Sequence, residues 1–332
     1  MRPKSLKSLL TALVIAREPI LITGRPGVGK SEIVEQACAQ VGADLIISHP
    51  VVSDPTDFKG LPFMNPNGEA NFIPLGDLRK ILHVTRPTVF FLDDLGQAST
   101  SVQAAAMQLI LARQINGHKV SDLVTFVAAT NRREDKAGVS GVLEPLKSRF
   151  TIVELEPTLE DWVDWALHQD WLPMELVAAV RFRPKWVTEW NPSKAIENTP
   201  TPRNLAVVGK MMSLNLPDDT AFSAYAGRLG EAAATELMAF MRLYLNLPTA
   251  AEIAASPLSA PVPSDPSSLY ALIGSLTGAA TDKTFEPFVQ YVNRIPKEYG
   301  VLFMRDITRK NKNLQSTRSF VKWATENKDI IL

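Results

Sequence analysis

The stretch Gly24-Arg25-Pro26-Gly27-Val28-Gly29-Lys30-Ser31 fits the pattern G-x-x-x-x-G-K-[ST] at every position. Its small residues let backbone amides close around the β- and γ-phosphates of a nucleotide, with Arg25, Pro26 and Val28 filling variable positions. A helix starting at its end adds the positive end of a dipole. Lys30 supplies a cation for the phosphates, and the Ser31 hydroxyl supplies a ligand for magnesium. A metal-nucleotide site also needs acid, and Val89-Phe90-Phe91-Leu92-Asp93-Asp94 provides it. Its carboxylates follow an apolar run, at the end of a strand where α/β proteins bind ligands. Asp93 suits the metal, through water, and Asp94 stands where a general base or water-positioning group is needed. A chance glycine turn and a pair of strand-capping carboxylates are the bland alternatives, and finding both motifs in one chain speaks against them.

These residues need strands to lead into them and helices to lead away. Residues 19–23, 44–48, 88–92, 123–128 and 151–155 are short apolar, β-rich runs. Helical patterns over 5–16, 32–41 and 99–113 alternate with them, which predicts an α/β layer with a mostly parallel five-stranded sheet. Residues 63–72 have apolar ends around the turn-rich Asn65-Pro66-Asn67-Gly68, a hairpin signal. After Pro157 helical patterns dominate. The expected division is an ATP-binding core over 1–156, a helical lid over 157–248, a Pro/Ser-rich linker over 249–266 and a C-terminal helical domain over 267–332.

The chain has 332 residues, of which 45% are hydrophobic and 21% charged, ordinary values for a globular protein with a core. Thirty-five basic residues cancel thirty-five acidic ones, so no global field advertises a nucleic acid or a membrane. The zero conceals an uneven spread: residues 156–248 hold 8 basic against 12 acidic, and residues 300–332 hold 7 against 3. No apolar run is long enough for a membrane span and none resembles a signal peptide, so a cytoplasmic location is expected. The single cysteine, Cys38, excludes an internal disulfide and a cysteine-built metal site, and it reads as a small buried residue. The four histidines are too scattered to form a metal motif.

With Asp93-Asp94, the strand end Ala128-Ala129-Thr130-Asn131, Ser148-Arg149-Phe150 and Thr201-Pro202-Arg203 in this order, the sequence resembles the AAA+ ATPases, and within them the MoxR-like family. Residues 53–62, Gly96-Gln97-Ala98, Val102-Gln103-Ala104-Ala105 and residues 143–150 carry the same resemblance, which spans roughly 5–210. It implies a magnesium-dependent ATP hydrolase. Asn131 corresponds to sensor 1, which orients the attacking water. Arg149 corresponds to the arginine finger that reaches a neighbouring subunit, and Arg203 to sensor 2 on the lid. Arg132 and Arg133 are weaker candidates for a second intersubunit arginine, solvent exposure being the plainer reading. A finger acting in trans implies a homo-oligomeric ring, hexameric by resemblance, that remodels a protein client such as a von Willebrand factor A domain protein.

The family usually has glutamate where this chain has Asp94, and a side chain one methylene shorter holds water less well. Hydrolysis is therefore expected to be slow. Two other functions stay open: a DNA-associated motor or loader, and an ATP-gated scaffold with negligible turnover. The hairpin tip has no aromatic pair to grip an unfolded chain, which favours remodelling over threading, and a Phe63–Phe72 pair across the hairpin would be packing. Trp162, Trp165, Trp171, Trp186 and Trp190 read as core or interface residues. Arg305, Arg309, Lys310, Lys312, Arg318 and Lys322 form a basic run, read first as a solvated face or protein interface and second as a nucleic-acid contact.

Overall fold

In the computed structural model, which describes residues 1–135, 138–191 and 195–328, the chain divides into two compact units, Met1–Pro157 and Thr158–Leu332. The first unit is built on strands β1 (Ile20–Thr23), β2 (Asp44–Ser48), β3 (Leu61–Met64), β4 (Ala70–Ile73), β5 (Thr88–Leu92), β6 (Gln114–Ile115), β7 (His118–Lys119), β8 (Val124–Thr130) and β9 (Thr151–Glu154). Its helices are α1 (Pro3–Ala16), α2 (Lys30–Val41), α3 (Pro55–Lys59), α4 (Gly76–Leu82), α5 (Thr100–Ala112) and α6 (Glu144–Lys147). Five strands form the expected sheet in the order β2-β5-β8-β1-β9, all parallel.

Side chains alternate across a strand, so neighbouring residues feed opposite faces. Phe90, Leu92, Phe126 and Ala128 join one apolar cluster with α5, and Val89, Phe91, Val127 and Ala129 join another with α1 and α2. A sheet covered on both faces needs continuous apolar strands rather than alternating ones. That is why β5 and β8 read as uninterrupted hydrophobic runs, and both are wholly buried.

Strands β3 and β4 form the expected hairpin, with Leu61 opposite Ile73, Pro62 opposite Phe72 and Phe63 opposite Asn71. This register corrects the expected aromatic pair: Phe63 and Phe72 lie on opposite faces of the ribbon, and Phe63 is 57% exposed instead of packed. The turn explains the pairing. The Asn65 carboxamide oxygen accepts from the amides of Asn67 (3.0 Å) and Glu69 (2.9 Å), locking a turn around Gly68. Below the hairpin, Gly60 has φ +84°, and a Cβ there would stand 2.7 Å from the Ile73 carbonyl oxygen, so only glycine fits. The small hairpin β6–β7 braces the first: the Asn116 carboxamide donates to the Lys59 carbonyl (2.8 Å), and a His118 ring nitrogen lies 2.7 Å from the Phe72 carbonyl oxygen.

The second unit is helical: α7 (Leu159–Leu167), α8 (Met174–Phe182), α9 (Lys185–Thr188), α10 (Pro202–Met212), α11 (Asp218–Leu229), α12 (Glu231–Leu245), α13 (Ala250–Ala255), α14 (Pro266–Ala279), α15 (Phe285–Val292), α16 (Lys297–Lys310) and α17 (Arg318–Glu326). Trp162 and Trp186 are buried in its first apolar cluster. The stretch 249–266 is not a loose linker. It contains α13, started by a capping box of Thr249 and Glu252, and it buries Ile253 and Ala260 in the second cluster. The Tyr291 hydroxyl donates to the Pro261 carbonyl (2.5 Å) and Arg294 donates to that of Pro257 (2.7 Å).

Two members of the basic run near the C-terminus are paired within this unit, while Lys312, Arg318 and Lys322 stay exposed. Glu160 accepts from Arg305 (3.0 Å) and Arg309 (2.9 Å), and Arg181 forms a two-pronged pair with the buried Asp306. Removing one partner strands the other charge, whereas replacing both by apolar residues does not. We therefore expect Asp306→Ala to cost about 3–5 kcal/mol in denaturant unfolding, and the double change Arg181→Met with Asp306→Leu to restore most of it. A single variant as stable as wild type would show that the pair does not hold α8 to α16.

Candidate nucleotide site

Three central strands bring the chemistry together. Leu92 of β5, Ala128 of β8 and Leu21 of β1 lie side by side in register. Asp93 follows directly on the first of these strands. Thr130 is paired with Thr23, so Asn131 and Gly24 leave the sheet as neighbours. The parallel topology thus delivers the acidic pair, the asparagine and the glycine-rich loop to one edge, the carboxyl end of the sheet.

The loop has the shape its residues imply. Gly27 (φ +72°) and Gly29 (φ +96°) adopt left-handed conformations, and Gly29 is the N-cap of α2. A Cβ on Gly24 would stand 2.9 Å from the Leu155 carbonyl oxygen, so the loop can pass β9 only as glycine. The first-turn amides of α2 have no partner within the helix and carry the positive end of its dipole. Lys30 is buried and donates to the carbonyls of Gly24 (3.0 Å) and Arg25 (3.1 Å) and to Asn131 Oδ1 (2.7 Å). Asn131 turns its other end to the acidic pair, Nδ2 donating to Asp94 Oδ1 at 3.4 Å. The Ser31 hydroxyl donates to Asp93 Oδ2 at 2.8 Å.

Asp94 sits in the left-handed region (φ +60°, ψ +35°), which short polar acids tolerate better than longer side chains do. The shorter acid therefore matches the backbone it stands on. A Cβ on Gly96 would approach Thr130 Oγ1 to 2.2 Å, so the turn after Asp94 presses directly on β8 beside Asn131.

Among the described residues, no cluster of three or more His, Cys, Asp or Glu could hold a metal by itself. Magnesium does not require one, because it keeps several waters and binds through one or two protein oxygens plus phosphate. Ser31 Oγ and Asp93 Oδ2, already in contact, are the fitting pair.

Arg149 follows α6 and is exposed, and its guanidinium has no hydrogen-bond or ion-pair partner among the described residues. Arg203 lies in the second unit, in the first turn of α10 behind the Thr201 cap. Arg132 departs from expectation. It donates to Asp135 (2.7 and 3.0 Å) and Glu154 (2.8 Å), which raises its pKa further and leaves it neither exposed nor free for a neighbour. Arg133 is exposed.

Sequence reasoning passed over Gln103 as a polar site residue. It is 2% exposed on the apolar side of α5, and a polar residue within that stripe was the available signal. Its Nε2 donates to the carbonyls of Ala98 (3.1 Å) and Gly141 (2.8 Å), and its Oε1 accepts from the Leu143 amide (3.0 Å).

Residues 20–157 match the model of the family described as "ATPase family associated with various cellular activities (AAA)". No curated protein matches the chain. Similar solved structures include the RuvB Holliday junction branch migration motor of Thermotoga maritima, 18% identical over 90% of this chain and 93% of that one, with a TM-score of 0.40. NtrX of Brucella abortus in complex with ADP is 15% identical over 99% of this chain and 68% of that one, with a TM-score of 0.38. The first unit has the AAA+ P-loop fold, and the chain continues into a C-terminal helical region. Among the described residues, no helix is long and apolar enough to cross a membrane.

Cys38 lies on α2 behind the loop, where burial pushes its thiol up to about 11. A raised thiol pKa withholds the reactive thiolate until the pH approaches that value. We expect an alkylating reagent to leave Cys38 unmodified in the folded chain at pH 8 and to label it fully once urea unfolds the protein. Rapid labelling without denaturant would contradict this.

Proposed function

We propose that the chain is a magnesium-dependent ATP hydrolase whose nucleotide site is the Gly24–Ser31 loop together with Asp93, Asp94 and Asn131. The observation that carries this reading is the pair of contacts joining the loop to the acidic strand end: Ser31 with Asp93, and Lys30 through Asn131 to Asp94. The AAA family match over residues 20–157 supports the same reading.

In this proposal the loop amides and Lys30 hold the β- and γ-phosphates. Ser31 and Asp93 would hold magnesium, which when bound would neutralise charge on the phosphate oxygens. Asp94 accepts a proton from the attacking water as the new bond to the γ-phosphorus forms and the bond to the bridging oxygen of ADP breaks. Asn131 fixes that water against Asp94. Arg149, exposed and without a side-chain partner among the described residues, is offered to the site of a neighbouring subunit, where such a cation is worth about 10³–10⁵ in rate. Arg203 would report nucleotide state from the helical unit, and the competent form would be a homo-oligomeric ring, hexameric on the MoxR-like reading.

The MoxR-like branch, with remodelling of a folded protein client in the cytoplasm, is supported by the hairpin β3–β4. Its exposed face presents Leu61, Phe63 and Ile73 around Asn71. On that reading the client is a protein such as a von Willebrand factor A domain protein. A DNA-associated role ranks second, because Arg305 and Arg309 are already paired with Glu160.

Asp94→Asn is expected to lower steady-state turnover by about 10²–10⁴ while nucleotide affinity stays within a few-fold. Unchanged turnover would remove Asp94 from the chemistry, and turnover that rises steeply with DNA would favour the second role. A monomer whose mass does not change with ATP would overturn the ring.

A further inference from the structure

We infer that Gln103 is a positioning residue that ties Arg149 to the acidic end of its own subunit's site, so that the state of one site sets the arginine offered to the next. This rests on the reading that Arg149 acts in trans. A side-chain amide this deeply buried is costly unless its donors and acceptor are satisfied, and Gln103 satisfies them on two segments at once, the turn that runs into α5 at Ala98 and the stretch that leads into α6. Ala98 closes the turn Leu95–Gln97 that follows Asp94. Gly141 and Leu143 lead into α6, and Arg149 follows α6.

A second set of bonds joins the same two segments. The Gly96 carbonyl accepts from the amides of Ser140 (3.1 Å) and Gly141 (3.2 Å) and from the Ser140 hydroxyl (3.1 Å). Gly96 is itself pressed against Thr130, one residue before Asn131. Beyond the loop, Leu146 and Phe150 are buried on either side of the exposed Arg149, so the base of the arginine cannot swing freely. The turn after Asp94 and the approach to Arg149 therefore move as one piece. Only a carboxamide can do this here, with two N–H donors for the carbonyls and one oxygen for the Leu143 amide. A carboxylate would face the Ala98 and Gly141 carbonyl oxygens with like charge, and an aliphatic chain would leave all three backbone groups unmet.

Mixed assemblies separate the two sides of the interface. Asp94→Asn subunits bind nucleotide without turning it over and offer Arg149, and Arg149→Ala subunits keep a site but offer no arginine. Mixing the two regains turnover only where an intact arginine meets an intact site. We expect Gln103→Leu added to the Asp94→Asn partner to lower the regained turnover about 10–100-fold, the range for a misplaced group. Added to the Arg149→Ala partner, it should leave turnover within about twofold, a smaller effect than one lost transition-state contact. Equal losses on both sides, or none, would overturn the inference. Failure of the two parent variants to complement each other would overturn the trans reading of Arg149 and this inference with it.

Two controls keep folding apart from positioning. Hydrogen exchange at the Leu143 amide should speed up in Gln103→Leu while protection in β5 and β8 is retained. Loss of protection throughout would mark a folding defect, in which case Ser140→Ala decides. Ser140 is exposed, its hydroxyl contributes one bond to the same joint, and it should reproduce the one-sided loss in smaller measure; a symmetric effect or none would overturn the inference.

Discussion

The register of three parallel strands governs everything chemical in this molecule. With Thr23 paired to Thr130, and Leu92 and Leu21 both paired to Ala128, the loop, the asparagine and the acidic pair emerge beside one another. The register is held by burial on both faces, where β5 and β8 have no exposed residue. Shifting one strand by a single residue would exchange the two apolar faces and also carry Asp93 away from Ser31 or Asn131 away from Lys30. Stability and chemistry are therefore fixed by the same packing.

A few buried polar groups then set the fine geometry. Asn131 touches Lys30 with its oxygen and Asp94 with its nitrogen, so one side chain joins the phosphate-binding cation to the acid. Gln103 does the same for two backbone segments, and Arg132 for Asp135 and Glu154. Each would be unfavourable left unmet away from water, and each has at least one partner distant in sequence. Such groups specify one arrangement where apolar packing would accept several, because only one geometry meets all of their bonds.

The contrast between local and distant partners explains what the sequence could convey. The glycine-rich loop was legible because its turn conformations, its lysine and its serine are contiguous, and β5 because a doubly covered strand must be apolar throughout. The relation of Phe63 to Phe72 was not legible. Their pairing depends on how Asn65 folds the turn, and two aromatic residues at the ends of a hairpin look alike in either register. Residues 249–266 looked like a linker from their prolines and serines, and nothing local announced that Ile253 and Ala260 have a core to enter. Likewise Arg305 and Arg309 read as a basic face because Glu160 lies far away in the chain.

All of the proposed chemistry requires that the loop and the acidic strand end form a single nucleotide site. Calorimetric titration of the full chain with a non-hydrolysable ATP analogue, with and without magnesium, tests this most directly when repeated on Lys30→Ala and Asp93→Ala. Saturable binding that magnesium strengthens is expected. Lys30→Ala should weaken it about 10–150-fold, the worth of a hydrogen bond to a charged group, and Asp93→Ala should abolish the magnesium dependence. Binding that neither variant alters, or no binding by the wild-type chain, would contradict a single site.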